Sequence, residues 1–371
     1  MFAPAAGVCQ SADQPAATLK VQAREVLLPV TVRDKKGALV ASLNAADFTL
    51  TEDGRPQKIK SFTRESNLPY RIGLLVDTSR SLSGALEEER KAADKFVDTM
   101  LPADPKAGKD EAFLIHFDRE VELLEDFTSS RSKLHHELDG LGPTAGGSRD
   151  DARGPETTGD ERTSGQSHGR GGTQLYDAIF LASDELMKTK DGRKALVVFS
   201  DGVDRGSKET MNDAVDSADR AQLAIYTIYF KGEQERTGGI PGLGNGGHHG
   251  GGYPGRGGGG YPGGGGGYPG GGGGHHPGGG GQRESGVDGK KIMEKIAERT
   301  GGRFFEAKKK DNLEDIYNQI AEELRGQYLL TYTPDQVDKE GGFHKIALKA
   351  SKDDLAVVTR EGYYAPTEAS K

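Results

Sequence analysis

The stretch "RIGLLVDTSRSLSG", residues 71–84, decides the fold of this 371-residue chain. It opens on a nearly continuous apolar run, which is typical of a parallel strand that is covered on both faces. The run leads directly into a turn that carries the carboxylate of Asp77 and the hydroxyls of Ser79 and Ser81. A strand that delivers three oxygen atoms into one turn predicts a ligand site at its carboxyl end.

Strands and helices alternate after Tyr70. The apolar strands "AFLIHF", "ALVVFS" and "LAIYTIYF" recur between segments with apolar residues at helical spacing. One such helical stripe consists of Leu175, Ala178, Ile179, Ala182 and Leu186. Repeated β-α units predict an α/β domain with a doubly wound parallel sheet over residues 67–325.

The segments on either side of this domain, residues 19–66 and 326–366, have strand patterns only. The N-terminal segment includes "DFTLTEDGRPQKIKSF", in which Asp53-Gly54 is a hairpin turn signal. Each segment is small for an independent core. We therefore expect the two segments to pair into one β-sandwich, with the α/β domain inserted between them. Two separate β appendages are the alternative.

Three stretches have the composition of disordered chain. Residues 1–18 are Ala-rich and are either a disordered start or the remnant of an export signal. Residues 142–172 and 236–284 are predicted to be disordered insertions, because polar and Gly-rich chain buries too little surface to offset its entropy. Residues 238–281 alone hold 28 of the 56 glycines. The histidine pairs that flank the Tyr-Pro-Gly units there favour a solvated loop over a transition-metal site: His248-His249 and His275-His276.

Composition excludes several classes of protein. The net charge of −8 argues against nucleic acid as the main partner. The single cysteine, Cys9, excludes an intrachain disulfide, and we interpret it as a free thiol. No run of about 18 apolar residues is present, so no membrane span is predicted. Composition leaves the cellular compartment open.

Two further oxygen donors follow other elements of the predicted sheet. Thr173, in "GGTQLYDAI", opens a helix, and Asp201, in "VVFSDGVDRGS", ends a strand. Doubly wound topology brings strand ends to one edge, so these side chains are expected to meet those of residues 77–81. Two carboxylates and three hydroxyls suit Mg²⁺, and the lack of Cys or His among them argues against zinc or copper here. For Asp204 a solvated loop charge is the interpretation, with the edge of the ligand site as the alternative.

These residues carry a resemblance. The motifs "DTSRS", "GGTQLYDA" and "FSDGVD" resemble the metal-ion-dependent adhesion site of von Willebrand factor type A domains. The resemblance implies a Rossmann-like fold. It also implies a Mg²⁺ (or Mn²⁺) site that an Asp or Glu carboxylate of a protein partner completes. The implied metal ligands are Asp77, Ser79, Ser81, Thr173 and Asp201. Arg80 departs from the small residues around it, and we expect it to restrict or recruit the incoming ligand.

A narrower resemblance covers most of residues 20–366. The segments "DFTLTEDGRPQKIKSF", "TGGRFFEA", "IAEELRGQYLLTYTP" and "VTREGYYAP" are similar to the bacterial group of VWFA-related Acidobacterial domain proteins. That group is usually exported, which implies a periplasmic, cell-surface or secreted location. The two Gly-rich insertions depart from it.

The predicted function is therefore metal-ion-dependent protein binding, as an adhesion or scaffold module without catalytic activity. One alternative is an exported structural scaffold whose metal stabilises the fold, and another is a metal-dependent hydrolase. Phosphotransfer sites of this kind want a second carboxylate two residues after Asp77, where Ser79 stands. The partner's identity, the oligomeric state and the choice between Mg²⁺ and Mn²⁺ stay open.

Overall fold

A computed structural model describes residues 25–64, 68–142, 172–232, 288–308, 312–336 and 341–365. The strands are β1 (Val26–Arg33), β2 (Phe48–Glu52), β3 (Arg55–Gln57), β4 (Ile59–Thr63), β5 (Tyr70–Asp77), β6 (Glu111–Phe117), β7 (Val121–Thr128), β8 (Arg193–Ser200), β9 (Ala224–Phe230), β10 (Phe304–Ala307), β11 (Tyr328–Tyr332), β12 (Phe343–Ala350), β13 (Ala356–Val358) and β14 (Gly362–Tyr364). The helices are α1 (Leu86–Met100), α2 (Arg131–Gly140), α3 (Leu175–Leu181), α4 (Met211–Ala221), α5 (Gly289–Thr300) and α6 (Leu313–Gly326). Short 3₁₀ turns cover Ala45–Asp47 and Arg80–Leu82.

The central sheet has six strands in the order β10-β9-β8-β5-β6-β7. All neighbours are parallel except the edge strand β7, which is antiparallel to β6. Strand β5 buries Leu74 and Val76 in the core under α1, α2 and α6, and Leu75 in the opposite core under α3, α4 and α5. Both faces are covered, which explains the continuous apolar run of β5. The predicted doubly wound α/β domain is confirmed.

The strands before and after this domain pair with one another. One antiparallel sheet has the order β13-β1-β11-β4, and the other has the order β14-β12-β2-β3. Each sheet thus combines N-terminal and C-terminal strands. Their inner faces share one apolar core, to which Leu28, Leu50, Leu330 and Ile346 contribute. The predicted β-sandwich around an inserted α/β domain is confirmed, and the alternative of two separate appendages is wrong.

Helix α4 has no counterpart in the prediction from apolar spacing. Its sequence "MNDAVDSADRA" contains small and polar residues, so its apolar stripe is weak. The start signal is a capping box instead: the Thr210 side chain accepts a hydrogen bond from the Asp213 N–H, and the Asp213 carboxylate accepts one from the Thr210 N–H. One other local difference occurs. The predicted helix over residues 175–186 becomes π-helical from Ala182 onward.

This cap gives a first prediction. Thr210→Ala should lower the free energy of unfolding by about 1 kcal/mol, because it leaves the Asp213 N–H without its acceptor. Thr210→Ser keeps the hydroxyl and should cost much less. Urea denaturation of the two variants measures the difference, and equal losses of stability would contradict the role of the cap.

Several predictions fall on residues outside the described ranges. These are the Ala-rich start over residues 1–18 with Cys9, nearly all of the insertion at 142–172, and the whole of 236–284 with its histidine pairs. Within the described ranges no helix has the length and apolar character needed to cross a membrane.

Candidate functional site

The oxygen-bearing motifs meet at the carboxyl edge of the central sheet. Asp77 is the last residue of β5, and Asp201 directly follows β8, its neighbour in the sheet. The strand order changes direction between these two strands, since β6 lies on one side of β5 and β8 on the other. In open α/β sheets this position is where ligands bind.

Hydrogen bonds join four of the five predicted ligand residues. The Ser79 N–H donates to Asp77 Oδ1 at 2.9 Å. The hydroxyls of Ser79 and Ser81 lie 3.0 Å apart, and the Ser81 hydroxyl donates to Asp201 Oδ2 at 2.9 Å. Ser81 and Asp201, which are 120 positions apart in the sequence, therefore belong to one hydrogen-bonded cluster.

Ser200 belongs to this cluster and was missed in the sequence. Its hydroxyl donates to Asp77 Oδ2 at 2.7 Å and accepts a hydrogen bond from the Gly202 N–H at 3.0 Å. The sequence signal that could have identified it is a polar residue at the end of the apolar strand "ALVVFS". This strand is β8, which pairs with β5. Ser200 orients the buried carboxylate and also fixes the turn that carries Asp201.

Asp77 is fully buried, at 0 % exposure. Burial raises the pKa of Asp77 to about 7, although hydrogen bonds from Ser79 and Ser200 lower it, and the nearby charge of Asp201 raises it further. The surrounding groups are hydroxyls and a backbone N–H, which stabilise a carboxylate less than a cation does. A bound cation would offset the cost of keeping this carboxylate ionised in the interior.

Thr173 is positioned by its backbone, in the segment that precedes α3. Its carbonyl accepts a hydrogen bond from the Arg205 N–H at 3.0 Å, and the next residue, Gln174, donates its N–H to the Asp118 carbonyl at 2.9 Å. These bonds tie Thr173 to the loop after Asp201 and to the end of β6. Thr173 therefore lies at the same edge of the sheet as the other four residues.

Two acidic residues tie the same loops together. The Asp204 carboxylate accepts a hydrogen bond from the Tyr176 N–H in the first turn of α3, at 3.2 Å, and another from the Ser207 hydroxyl. Asp177 accepts from the N–H groups of Lys208 and Glu209, both at 2.9 Å. Asp204 is thus a loop-fixing residue. Its place at the edge of a ligand site stays a prediction, as does that of Arg80, which is exposed in the 3₁₀ turn.

The backbone of Gly232 packs closely against two of these residues. A Cβ built on it would lie 2.6 Å from Asp201 Oδ2 and 2.8 Å from the Ser81 Cβ, so only glycine fits without displacing them. Hard oxygen donors and a buried carboxylate together fit a divalent cation of the Mg²⁺ class.

Residues 72–203 match the family model of the von Willebrand factor type A domain. The matched residues run from β5 to the turn after β8, so the α/β core is similar to a von Willebrand factor type A domain. The match does not reach the flanking strands, so the narrower resemblance to the Acidobacterial group stays a prediction. No curated protein is significantly similar to the chain in sequence.

Three solved structures illustrate the range of similar proteins. An aerotolerance-related membrane protein from Bacteroides fragilis is 16 % identical, over 69 % of this chain and 98 % of that one, with a TM-score of 0.40. The von Willebrand factor domain of the type V pili tip protein Mfa5 from Porphyromonas gingivalis is 13 % identical, over 70 % and 95 %, with a TM-score of 0.43. Proximal thread matrix protein 1 from the mussel byssus, with a zinc-occupied adhesion motif, is 10 % identical, over 70 % and 48 %, with a TM-score of 0.40. These similarities do not assign a role to any individual residue of this chain.

Proposed function

We propose that the von Willebrand factor A core is a metal-dependent protein-binding module, with adhesion or scaffolding as its role. The observation that carries this proposal is the hydrogen-bonded cluster of Asp77, Ser79, Ser81 and Asp201, at the edge where β5 and β8 end. The proposed metal ligands are Asp77, Ser79, Ser81, Thr173 and Asp201.

Each residue has a distinct part in this site. Asp77 contributes a buried charge whose orientation Ser200 fixes. With the Ser81 proton on Asp201 and the Ser79 proton toward Ser81, both hydroxyl oxygens would keep lone pairs for a metal ion. Asp201 is half-buried, and its carboxylate packs against the backbone of Gly232. A Mg²⁺ or Mn²⁺ held by these residues would offer a coordination position to an Asp or Glu carboxylate of a partner.

The surroundings of the site support binding over catalysis. The residue two positions after Asp77 is Ser79, so the second carboxylate that phosphotransfer would use at that position is replaced by a hydroxyl. Arg80 is exposed next to the site and offers a cation to an incoming acidic segment. We further propose export, to the periplasm, the cell surface or the medium, on the strength of the sequence resemblance to the exported Acidobacterial group.

Calorimetric titration of Mg²⁺ and Mn²⁺ into the metal-stripped full-length protein tests the proposal. Asp201→Ala should weaken binding at least tenfold, about 1.4 kcal/mol, because it removes a charged ligand. Glu120→Gln is the matched control: it removes one exposed carboxylate from the turn after β6, at the same edge of the sheet, and should bind as the wild type does.

Two outcomes would count against this function. Absence of saturable binding in the wild type, or equal affinity in Asp201→Ala, would contradict the metal site. Thermal unfolding of the same variants with and without saturating metal tests the scaffold alternative. If Asp201→Ala lost as much stability as metal affinity, the ion would serve the fold instead of a partner.

A further inference from the structure

A second group of ligand-type side chains lies in the β-sandwich, outside the von Willebrand factor A core. Glu52 ends β2, Asp53 begins the turn between β2 and β3, and His344 lies on β12, which pairs with β2. Asp53 and Gly54 have φ values of 49° and 78°, as in a tight hairpin turn with two left-handed residues. Strand pairing therefore brings together residues about 290 positions apart.

The three side chains converge at distances that suit a small metal ion. One ligand atom from each lies within 4.8 Å of the others, which makes this the one such group of His, Cys, Asp or Glu within the described ranges. His344 Nδ1 is 2.8 Å from Asp53 Oδ2 and 3.5 Å from Glu52 Oε1. With metal–ligand bonds of about 2.1 Å, these separations subtend angles of roughly 84° and 113° at the ion. The first angle is close to that of octahedral coordination and the second to that of tetrahedral coordination, so a bound ion requires small shifts of these side chains.

Each of the three side chains is held in place by a neighbour. The Tyr332 hydroxyl donates to Glu52 Oε2 at 2.5 Å, which leaves Oε1 for the cluster. The Lys345 N–H donates to Asp53 Oδ1 at 2.8 Å, which leaves Oδ2. The imidazole of His344 stacks on the Tyr363 ring, with centroids 5.4 Å apart. Outer contacts of this kind orient metal ligands and strengthen binding.

The charge of the cluster leaves room for a cation. Two carboxylates and one imidazolium carry a net charge of −1, whereas two carboxylates, a neutral imidazole and a divalent cation are neutral. Arg55 is a further cation near Asp53 and would compete with a metal. The exposed Asp53 side chain, at 43 %, gives solvent access.

We propose that Glu52, Asp53 and His344 form a second metal site, specific for transition metals of the zinc class. The imidazole nitrogen distinguishes it from the all-oxygen cluster at Asp77, because nitrogen ligands favour Zn²⁺ and its neighbours over Mg²⁺. A metal bound there would link the β2–β3 hairpin to β12 and so stabilise one sheet of the sandwich.

Zinc titration into the metal-stripped full-length protein, with Mg²⁺ present in excess, tests this site. His344→Gln should lose one bound equivalent of Zn²⁺ or weaken it at least tenfold. His135→Gln is the matched control. His135 on α2 also lies beside two carboxylates, 3.4 Å from Asp98 and 3.9 Å from Asp94 on α1, but it is outside the proposed site. Comparing variants at equal total histidine number removes the contribution of the histidines at 248–249 and 275–276.

A second variant keeps the test sharp if His344→Gln folds poorly. Asp53→Asn retains a side chain that tolerates the left-handed turn but removes a charge, and it should also weaken Zn²⁺ binding at least tenfold. Equal zinc stoichiometry and affinity in the wild type and in both variants would overturn the proposal and leave an ion-paired cluster only. Asp201→Ala should still bind the equivalent of Zn²⁺ that depends on His344. The experiment therefore distinguishes failure of this site from failure of the Mg²⁺ site.

Discussion

Gly289→Ala is expected to lower the free energy of unfolding by about 3 kcal/mol, the upper end of the usual cost of overpacking. In an ordinary helix the same change is favourable by up to about 1 kcal/mol. Here Gly289 is the first residue of α5, and a Cβ built on it would lie 2.0 Å from the carbonyl oxygen of Asp201. The clash is with backbone, so no side-chain rotation relieves it.

The neighbouring backbone cannot retreat easily. Gly202 has a φ of 72°, and a Cβ on it would in turn lie 2.2 Å from the Gly289 carbonyl oxygen. Two backbone segments of the protein thus approach each other closely at Gly202 and Gly289. Gly202 directly follows Asp201 in the sequence. Relief of the clash must move the Asp201 turn, so Gly289→Ala should also weaken Mg²⁺ binding if the proposed site is correct.

Urea denaturation of Gly289→Ala and of Gly140→Ala measures this effect. Gly140 is the last residue of α2, and a Cβ built on it meets no atom within 4 Å. Its substitution by alanine should be neutral or slightly stabilising. Equal unfolding midpoints for Gly289→Ala and the wild type would show that α5 does not approach the Asp201 turn as closely as described.

The sequence was informative wherever a local pattern sufficed. The apolar run before Asp77 and the polar turn after it are contiguous, so strand, turn and oxygen donors could be predicted together. The pairing of the terminal strands followed from the argument that neither segment buries a core alone. Helix α4 was not predicted from the apolar pattern. The signal for its start is the capping box of Thr210 and Asp213, and its buried face consists largely of alanine.

Features that depend on three-dimensional packing could not be predicted. Ser200 was recognised only as the end of a strand, because its contact with Asp77 requires the register of β5 against β8. His344 meets Glu52 only through the pairing of β12 with β2. In both cases the residue types are unremarkable in sequence, and the chemistry comes from neighbours more than 100 positions away.

The pair of Glu89 and Tyr317 is a further case of this kind. Glu89 lies on α1 at 0 % exposure, and its Oε1 accepts a hydrogen bond from the hydroxyl of Tyr317 on α6. Within the described part of the chain its Oε2 has no hydrogen-bond partner. Burial raises the pKa of Glu89 to about 8, against the lowering effect of the Tyr317 hydroxyl. Glu89 is therefore largely protonated at neutral pH.

This protonation makes stability depend on pH with a definite sign. In the unfolded chain Glu89 loses its proton near its ordinary pKa of 4.5, whereas in the folded protein it keeps the proton up to about pH 8. The folded state binds more protons between these values, so stability falls as pH rises through this window. The contribution is fully present below about pH 4.5. Its loss by pH 9 amounts to at most about 5 kcal/mol, at about 1.4 kcal/mol per unit.

Glu89→Gln should remove this dependence. Glutamine has nearly the same shape, can keep a contact with Tyr317 and stays neutral at every pH. The variant should match the wild type near pH 5 and exceed its stability by several kcal/mol at pH 9. Urea denaturation at pH 5, 7 and 9 measures the difference between the two proteins. The other buried acids with raised pKa values, Asp77 and Asp219, act equally in both and cancel.

Glu88→Gln provides the control on the same turn of α1. Glu88 is half-buried and pairs with Lys91 at 3.5 Å, so its substitution removes an acid without touching the buried pair. Its stability should run parallel to that of the wild type from pH 5 to pH 9. If Glu89→Gln also ran parallel, Glu89 would be ionised in the folded protein, and its contact with Tyr317 would be a charge-assisted hydrogen bond instead of one made by a neutral acid.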